Sequence, residues 1–309
     1  MVSKVVAENL RKIYPNGTEA VKGISFELDD GVYAFMGPNG SGKTTTLSML
    51  AGSLKPTEGR VIICGYNIWG SDWLLARKKI GFAPQDMPFR KVLTGFENIV
   101  WYGLLKGLSY SEAKKRAKTL LEELGLWEHR KKQVSMYSGG MRRRLIIAAA
   151  LISDPEVLIL DEPSSGLDPA AREEFWGILR RTIRDGRTVI YSTHIASEAE
   201  KHSDEVYIFN EGQIIAKGTA QELIEKYAPK TKILVEVPPG YKPIKVDDLE
   251  PEYYGNNVYA YVFVEDKMDM KSVVGAYEDA NIPIVRIEVR RPGLEEVFLV
   301  LAGRRLEGD

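Results

Sequence analysis

Cysteine is almost missing from this chain of 309 residues, with Cys64 the only one. A lone thiol can form neither a disulfide within the chain nor a cysteine-rich zinc site, so the composition fits a reducing compartment and a fold held by packing. Long hydrophobic runs are missing too. The longest wholly apolar stretch, Leu145 to Ile152, is bounded by Arg144 and Ser153-Asp154, whereas a membrane-spanning helix needs about 20 such residues. The start, Met1-Val2-Ser3-Lys4, has neither the apolar core nor the small-residue cleavage site of a secretory signal. An excess of one charge is also absent. The 42 Lys+Arg face 43 Asp+Glu, a net charge of -1, which argues against a surface that binds polyanions as a whole. No internal repeat or low-complexity tract is evident. What is present is a soluble globular mixture, 44% hydrophobic and 28% charged, with length for roughly two domains.

The charge is unevenly spread. Residues 101–150 carry 11 Lys/Arg against 4 Asp/Glu, while residues 230–309 carry 11 against 15. Short apolar strands are expected at Val32–Met36, Val157–Asp161, Thr188–Ser192 and Val206–Asn210, with helices at Lys43–Ala51 and Ala170–Arg184. Continuous apolar strands alternating with helices imply a parallel sheet covered on both faces, an α/β core. Between Lys91 and Gln133 the chain favours helix, with Ser111-Glu112-Ala113-Lys114 expected to open a basic amphipathic helix that stops at Gly125. This reads as a helical insertion, within a helical subdomain of about residues 88–150. A break follows Tyr227, where Pro229 and then Pro238-Pro239-Gly240 punctuate a change of pattern. Beyond it, expected strands at Lys232–Val237, Val258–Val264 and Ile284–Val289 and helices at Met268–Ala280 and Leu294–Ala302 make a small α+β unit. The expected domains are therefore 1–228 and 229–309.

The densest chemical signal is Gly37-Pro38-Asn39-Gly40-Ser41-Gly42-Lys43-Thr44, which fits G-x-x-x-x-G-K-[ST] between an apolar strand and a helix former. Glycines let successive backbone N–H groups face phosphate oxygens, and the helix start adds its positive dipole end. Lys43 is placed for the β- and γ-phosphates, Thr44 for magnesium, and the adjoining Thr45 for the nucleotide. A glycine-rich turn that merely closes a β–α unit is the plain alternative. Val157 to Leu160 then ends in Asp161-Glu162, two carboxylates at the edge where α/β proteins place ligands. Asp161 is the candidate metal ligand and Glu162 the candidate base for an attacking water.

Four further elements resemble the ATP-binding cassette (ABC) family in order and spacing across roughly residues 4–220. Gln85, 42 residues after Lys43, resembles the Q-loop; Tyr137-Ser138-Gly139-Gly140-Met141 resembles the signature. Ser165-Gly166-Leu167-Asp168 resembles the D-loop, and Ser192-Thr193-His194, with His194 32 residues after Glu162, resembles the switch histidine. The resemblance implies a P-loop NTPase fold of the ABC type and hydrolysis of ATP with Mg2+. It implies that Lys43, Glu162 and His194 are catalytic and that Thr44, Gln85 and Asp161 lie at the metal. Tyr14 resembles the adenine-stacking aromatic, although a core tyrosine is nearly as good a reading. Ser138, Gly139, Gly140 and Asp168 would complete the site of a second subunit, in a homodimer or a pair with a homologous ATPase. Tyr137 and Met141 depart from the commonest signature, Leu first and Gln fifth, and the Met141 side chain has no hydrogen-bond donor. Tyr-Ser-Gly-Gly-Met followed by arginines resembles the drug and polysaccharide exporter branch, as does Arg291-Pro292-Gly293-Leu294-Glu295-Glu296-Val297-Phe298.

With no span of its own, such an ATPase implies a separate transmembrane permease partner and a place on the inner face of the cell membrane. Phe89, Val92, Leu93, Phe96, Ile99, Val100 and Trp101 are the candidate docking residues, with an exposed subset expected around Phe89 to Phe96. Lys114, Lys115, Arg116 and Lys118 read as a solvated face or a contact with anionic lipid. The competing reading is an ATP-gated clamp on the ribosome or nucleic acid. A single cassette, with only 52 residues between Gln85 and Ser138, argues against it.

Overall fold

The structure, a computed structural model, describes residues 3–183, 186–228, 230–247, 249–264, 270–303 and 306. The chain forms two compact units, Met1–Thr219 and Ala220–Asp309. The first unit opens with strands β1 (Val5–Ile13), β2 (Glu19–Leu28) and β3 (Gly31–Met36), then helix α1 (Lys43–Leu50). Strands β4 (Glu58–Ile63) and β5 (Tyr66–Asn67), helix α2 (Trp73–Lys78) and strand β6 (Ile80–Ala83) follow. Helices α3 (Gly95–Leu105), α4 (Tyr110–Glu123) and α5 (Gly139–Leu151) form the insertion. The unit closes with β7 (Val157–Leu160), α6 (Pro169–Thr182), β8 (Thr188–Thr193), α7 (Ala196–His202), β9 (Glu205–Asn210) and β10 (Gln213–Gly218).

Its main sheet runs β10-β9-β3-β8-β7-β6; β9, β3, β8, β7 and β6 pair in parallel and β10 runs antiparallel to β9. Every residue of β7 and β8 is buried, as the apolar runs require of strands covered on both faces. A second, antiparallel sheet, β2-β1-β4-β5, was not foreseen. The end of β2 alternates, as Ile24, Phe26 and Leu28 turn inward and Ser25 and Glu27 outward, the pattern of a sheet wet on one side. Phe26 meets Phe35 edge-on at 5.4 Å and Tyr207 at 5.8 Å, so aromatic contacts lock the two sheets together. Leu47, Met49 and Leu50 of α1 are fully buried in the same core, which fixes the helix that follows the glycine-rich loop.

Helix α4 begins one residue earlier than Ser111 implied, with its cap at Ser109. Ser109 accepts from Glu112 N at 3.3 Å while the Glu112 carboxylate accepts from Ser109 N at 2.9 Å, a reciprocal cap that starts α4 at Tyr110. Gly125, at φ 65°, lies just past its end. Thr94 and Glu97 cap α3 in the same way. Helix α6 starts at Pro169 under Asp168 and runs to Thr182; Arg184, its expected end, lies outside the described residues.

The second unit holds helix α8 (Ala220–Tyr227), strands β11 (Lys230–Glu236), β12 (Glu252–Gly255) and β13 (Val258–Val264), helix α9 (Met270–Asp279), strand β14 (Arg286–Arg290) and helix α10 (Leu294–Ala302). The antiparallel sheet β12-β13-β11-β14 packs Ile233, Val235, Tyr261 and Phe263 against Val273 and Tyr277 of α9. Met268, expected to open α9, lies outside the described residues. Helix α8 packs on α10, so the division falls ahead of α8 rather than after Tyr227. Among the described residues no helix is long and apolar enough to cross a membrane.

Candidate nucleotide-binding and hydrolysis site

The loop from Gly37 to Thr44 joins β3 to α1 at the carboxyl edge of the main sheet. Two glycines there are required by geometry. Gly42 has φ 100°, and a Cβ on it would lie 2.6 Å from Ala20 O; one on Gly37 would lie 2.3 Å from Phe209 O. Lys43 is buried and its Nζ donates to Gly37 O at 2.7 Å and Pro38 O at 2.8 Å. Burial lowers the affinity of that amine for its proton, and the carboxylates of Glu162 and Asp161 work against the shift. Ser41 Oγ is buried without a hydrogen-bond partner, an orphan that a phosphate oxygen would satisfy.

Beside the loop lies a cavity of about 510 Å³, lined by Tyr14, Asn39, Gly40, Gly42, Lys43, Thr44, Thr45 and Glu162 together with Thr18, Glu19, Ala20, Lys22, Glu211 and Gly212. Tyr14, just past β1, lines it rather than the core, and its hydroxyl is 3.2 Å from Thr45 Oγ1. Thr44 Oγ1 donates to Asp161 Oδ1 at 3.0 Å, and Ser192 Oγ donates to the same oxygen at 2.7 Å. Glu162 stands at φ 45°, with its N–H donating to Ser192 Oγ at 2.8 Å. Glu162 Oε1 is 3.5 Å from His194 Nδ1. The interaction with His194 holds Glu162 below its ordinary value despite partial burial, and the interaction with Glu162 raises His194. The structure thus brings together Lys43, Thr44, Asp161, Glu162 and His194, which are scattered along the sequence.

Other expected site residues stand apart from this cavity. Gln85 is exposed, and its backbone carbonyl accepts from Arg143 Nη1 at 2.9 Å. Ser138 caps α5, accepting from Met141 N at 3.2 Å, so the fifth signature residue contributes its backbone. Gly139 faces open space, and Asp168 caps α6 by accepting from Ala171 N at 3.0 Å. The unusual Tyr137 has a packing reason. Its buried ring occupies the place where a Cβ on Gly95 would fall, 2.0 Å from the hydroxyl, and that hydroxyl donates to His129 O at 3.0 Å.

Sequence reasoning passed over two residues of this region. Ser192 reads as the end of an apolar strand, yet it joins both carboxylate-bearing residues. The signal was a hydroxyl at the carboxyl edge of an otherwise apolar β8. Arg143 reads as one of three arginines; burial lowers its hold on its proton, and it reaches both Gln85 O and Ser165 O. In the insertion, Ile99 and Val100 are buried and Val92 is 75% exposed. Phe89 packs edge-on to Tyr102, Phe96 edge-on to Trp127, and Arg90 stacks on Trp101.

A phosphate loop ahead of a helix, a hydroxyl–carboxylate pair beside it and an ionised glutamate facing a histidine define an α/β ATPase of the phosphate-loop type. Residues 21–165 match the ABC transporter family. The linearmycin resistance ATP-binding protein LnrL of Bacillus subtilis is 37% identical over 310 residues, covering 97% of this chain and 98% of that protein. The Nod factor export ATP-binding protein I of Ralstonia nicotianae is 36% identical, covering 97% and 94%. Among solved structures, cbiO1 of Clostridium perfringens, part of the ABC transporter complex cbiONQ, matches with a TM-score of 0.65 at 29% identity, over 73% of this chain and 92% of that one. A dimeric post-hydrolysis state of an ATP-binding cassette bound to ADP and Pi matches at 0.63 and 29% identity, over 70% and 98%. The chain belongs to the ABC transporter family, on the branch that holds these drug-resistance and Nod factor export ATP-binding proteins, and it is an ATP-binding, ATP-hydrolysing transporter subunit. These relatives favour transport over a clamp on nucleic acid.

Proposed function

We propose that this ATPase powers export of a small molecule through a separate transmembrane permease, working as a dimer at the inner face of the cell membrane. The observation that carries the reading is the split between two half-sites. Lys43, Thr44 and Glu162 line one cavity, whereas Ser138 and Gly139, exposed at the start of α5, line none of it. A helix N-terminus with free N–H groups binds anions, so this second half is built to meet a nucleotide held by another subunit. ATP between the subunits then closes the dimer, and hydrolysis releases it. The printed role of the related Nod factor export protein supports an outward direction of transport.

Thr44 and Asp161 offer oxygen donors on either side of a 3.0 Å hydrogen bond, the donor type that suits Mg2+. Among the described residues no cluster of three or more His, Cys, Asp or Glu could hold a metal alone, which fits an ion that takes its other ligands from phosphates and water. Such an ion would neutralise charge on the β- and γ-oxygens. Lys43 binds the β- and γ-phosphates, Glu162 orients the attacking water and accepts its proton, and His194 faces the γ-phosphate. Tyr14 stacks on the adenine, and Val92 with the half-exposed Leu93 and Phe96 belongs to the permease-docking surface.

The test is purification of the full chain from detergent-solubilised membranes of its own host. An integral membrane protein should co-purify in a fixed ratio. Recovery of ribosomes or DNA with no membrane partner would overturn the transport assignment.

A further inference from the structure

Outside the nucleotide cavity, Glu198 in the first turn of α7 is 3% exposed. Its Oε1 accepts from Ser164 Oγ and lies 3.2 Å from Arg172 Nε, and its Oε2 accepts from Thr193 Oγ1 at 2.7 Å. Each of these groups belongs to a different piece of hydrolytic machinery. Ser164 lies two residues after Glu162, and Thr193 immediately precedes His194. Arg172 is on α6, and its Nη2 donates to Leu167 O beside Asp168 at 3.2 Å. The anchorage of Glu198 is itself tied in, because Tyr191 Oη donates to Glu198 O at 3.0 Å and Ile195 N donates to Thr193 Oγ1 at 3.0 Å.

We infer that Glu198 is a positioning residue for ATP hydrolysis, its one buried carboxylate fixing the turn that carries Glu162 against the strand end that carries His194. Hydrogen bonds to both carboxylate oxygens, from Ser164 and Thr193, clamp Glu198 directionally, while Arg172 adds its charge at 3.2 Å without a hydrogen bond from Nε. Its two hydroxyl partners sit on the segments whose spacing sets the 3.5 Å approach of Glu162 to His194. Nothing in the clamp lines the nucleotide cavity, so loosening it should slow the chemical step while leaving ATP affinity in place. A displacement of about 1 Å in reacting groups can cost about 100-fold in rate.

The inference rests on the roles proposed above for Glu162 and His194. The experiment is steady-state ATP hydrolysis by the full chain, with ATP affinity measured separately by filter binding and folding checked by thermal melting. Glu198→Gln and Thr193→Val should each lower kcat about tenfold or more, with KM and the ATP Kd within about threefold of the parent. Thr193→Ser restores the hydroxyl and should recover kcat to within about threefold. Unchanged kcat in both variants, a parallel loss of affinity, or a fall that only tracks the folded fraction would overturn the inference. Ser164→Ala, which leaves the carboxylate with Arg172 and Thr193, gives the same reading should Glu198→Gln fail to fold. Glu162→Gln in the same assay separates the two levels. Retained turnover there removes the base assignment itself, whereas lost turnover alongside unaffected Glu198 and Thr193 variants removes only the clamp.

Discussion

Glu162 is held at φ 45°, a left-handed conformation that costs a residue with a side chain about 1–2 kcal/mol. The bond from its N–H to Ser192 Oγ, with Ser192 bonded in turn to Asp161, keeps it there. That geometry aims the carboxylate into the cavity beside Lys43 rather than along the strand. Glu162→Gln keeps the shape and removes the base, so turnover should fall by at least about 100-fold while ATP affinity is retained. Gel filtration with ATP should then show a trapped dimer, and an enzyme that still turns over normally would refute the base. The same pair has a pH signature. The contribution of His194, raised from 6.5, is complete below that value and lost as pH rises through its folded pKa. The contribution of Glu162, lowered from 4.5, is complete above that value and lost as pH falls through its folded pKa. The pair therefore stabilises the fold most between these two ordinary values. His194→Ala should cost more stability in urea melts at about pH 5.5 than at about pH 9; an equal cost at both would mean the pair is not formed.

Helix ends in the insertion are set by polar side chains rather than by the apolar stripe. Ser109→Ala removes one half of the reciprocal cap on α4 and leaves Glu112 N without its acceptor. The variant should lose about 0.5–2 kcal/mol in denaturant unfolding, and no loss would show that α4 is held by packing alone. This cap also shows what was legible in the sequence. Ser109-x-x-Glu112 was there to be read, but Ser111 also precedes the helical run, and only the Ser109 N to Glu112 bond decides between them. The phosphate loop and the carboxylate strand were legible because each is one contiguous segment whose chemistry needs fixed residue types. Ser192, Arg143 and Glu198 were not, because each takes its meaning from a partner distant in the chain: Asp161 for Ser192, Gln85 for Arg143 and Ser164 for Glu198. The antiparallel sheet escaped for a related reason. The register of β1 shifts between Ala7 and Leu10 and again before Ile13, and such irregularities break the strict alternation by which a half-wet strand is recognised.

The two units divide the work unevenly. The loop, carboxylates, histidine and signature all fall within Met1–Thr219, and the solved cassettes described above cover 70–73% of the chain. LnrL, in contrast, aligns over 97% of it, so the second unit accompanies the cassette in a drug-resistance relative. The net charge of -1 conceals a basic stretch in the insertion, which the acidic residues 230–309 and an acidic excess in the rest of the chain offset. Where a truncation should be cut follows from α8. Leu223 is 2% exposed and α8 packs on α10 within the second unit, so a chain ending at Tyr227 keeps a helix stripped of its partner. A chain ending at Thr219 instead closes on β10, which is paired to β9 along its length. The fragment 1–219 should therefore bind a fluorescent ATP analogue with a Kd within about threefold of the full chain, because a unit with its own core folds alone. The fragment 1–227 should bind similarly yet scatter more light on standing, through the apolar face left on α8. Loss of nucleotide binding in 1–219 would show that the cassette needs its second unit to fold, and equal scattering by the two fragments would show that α8 buries its face elsewhere.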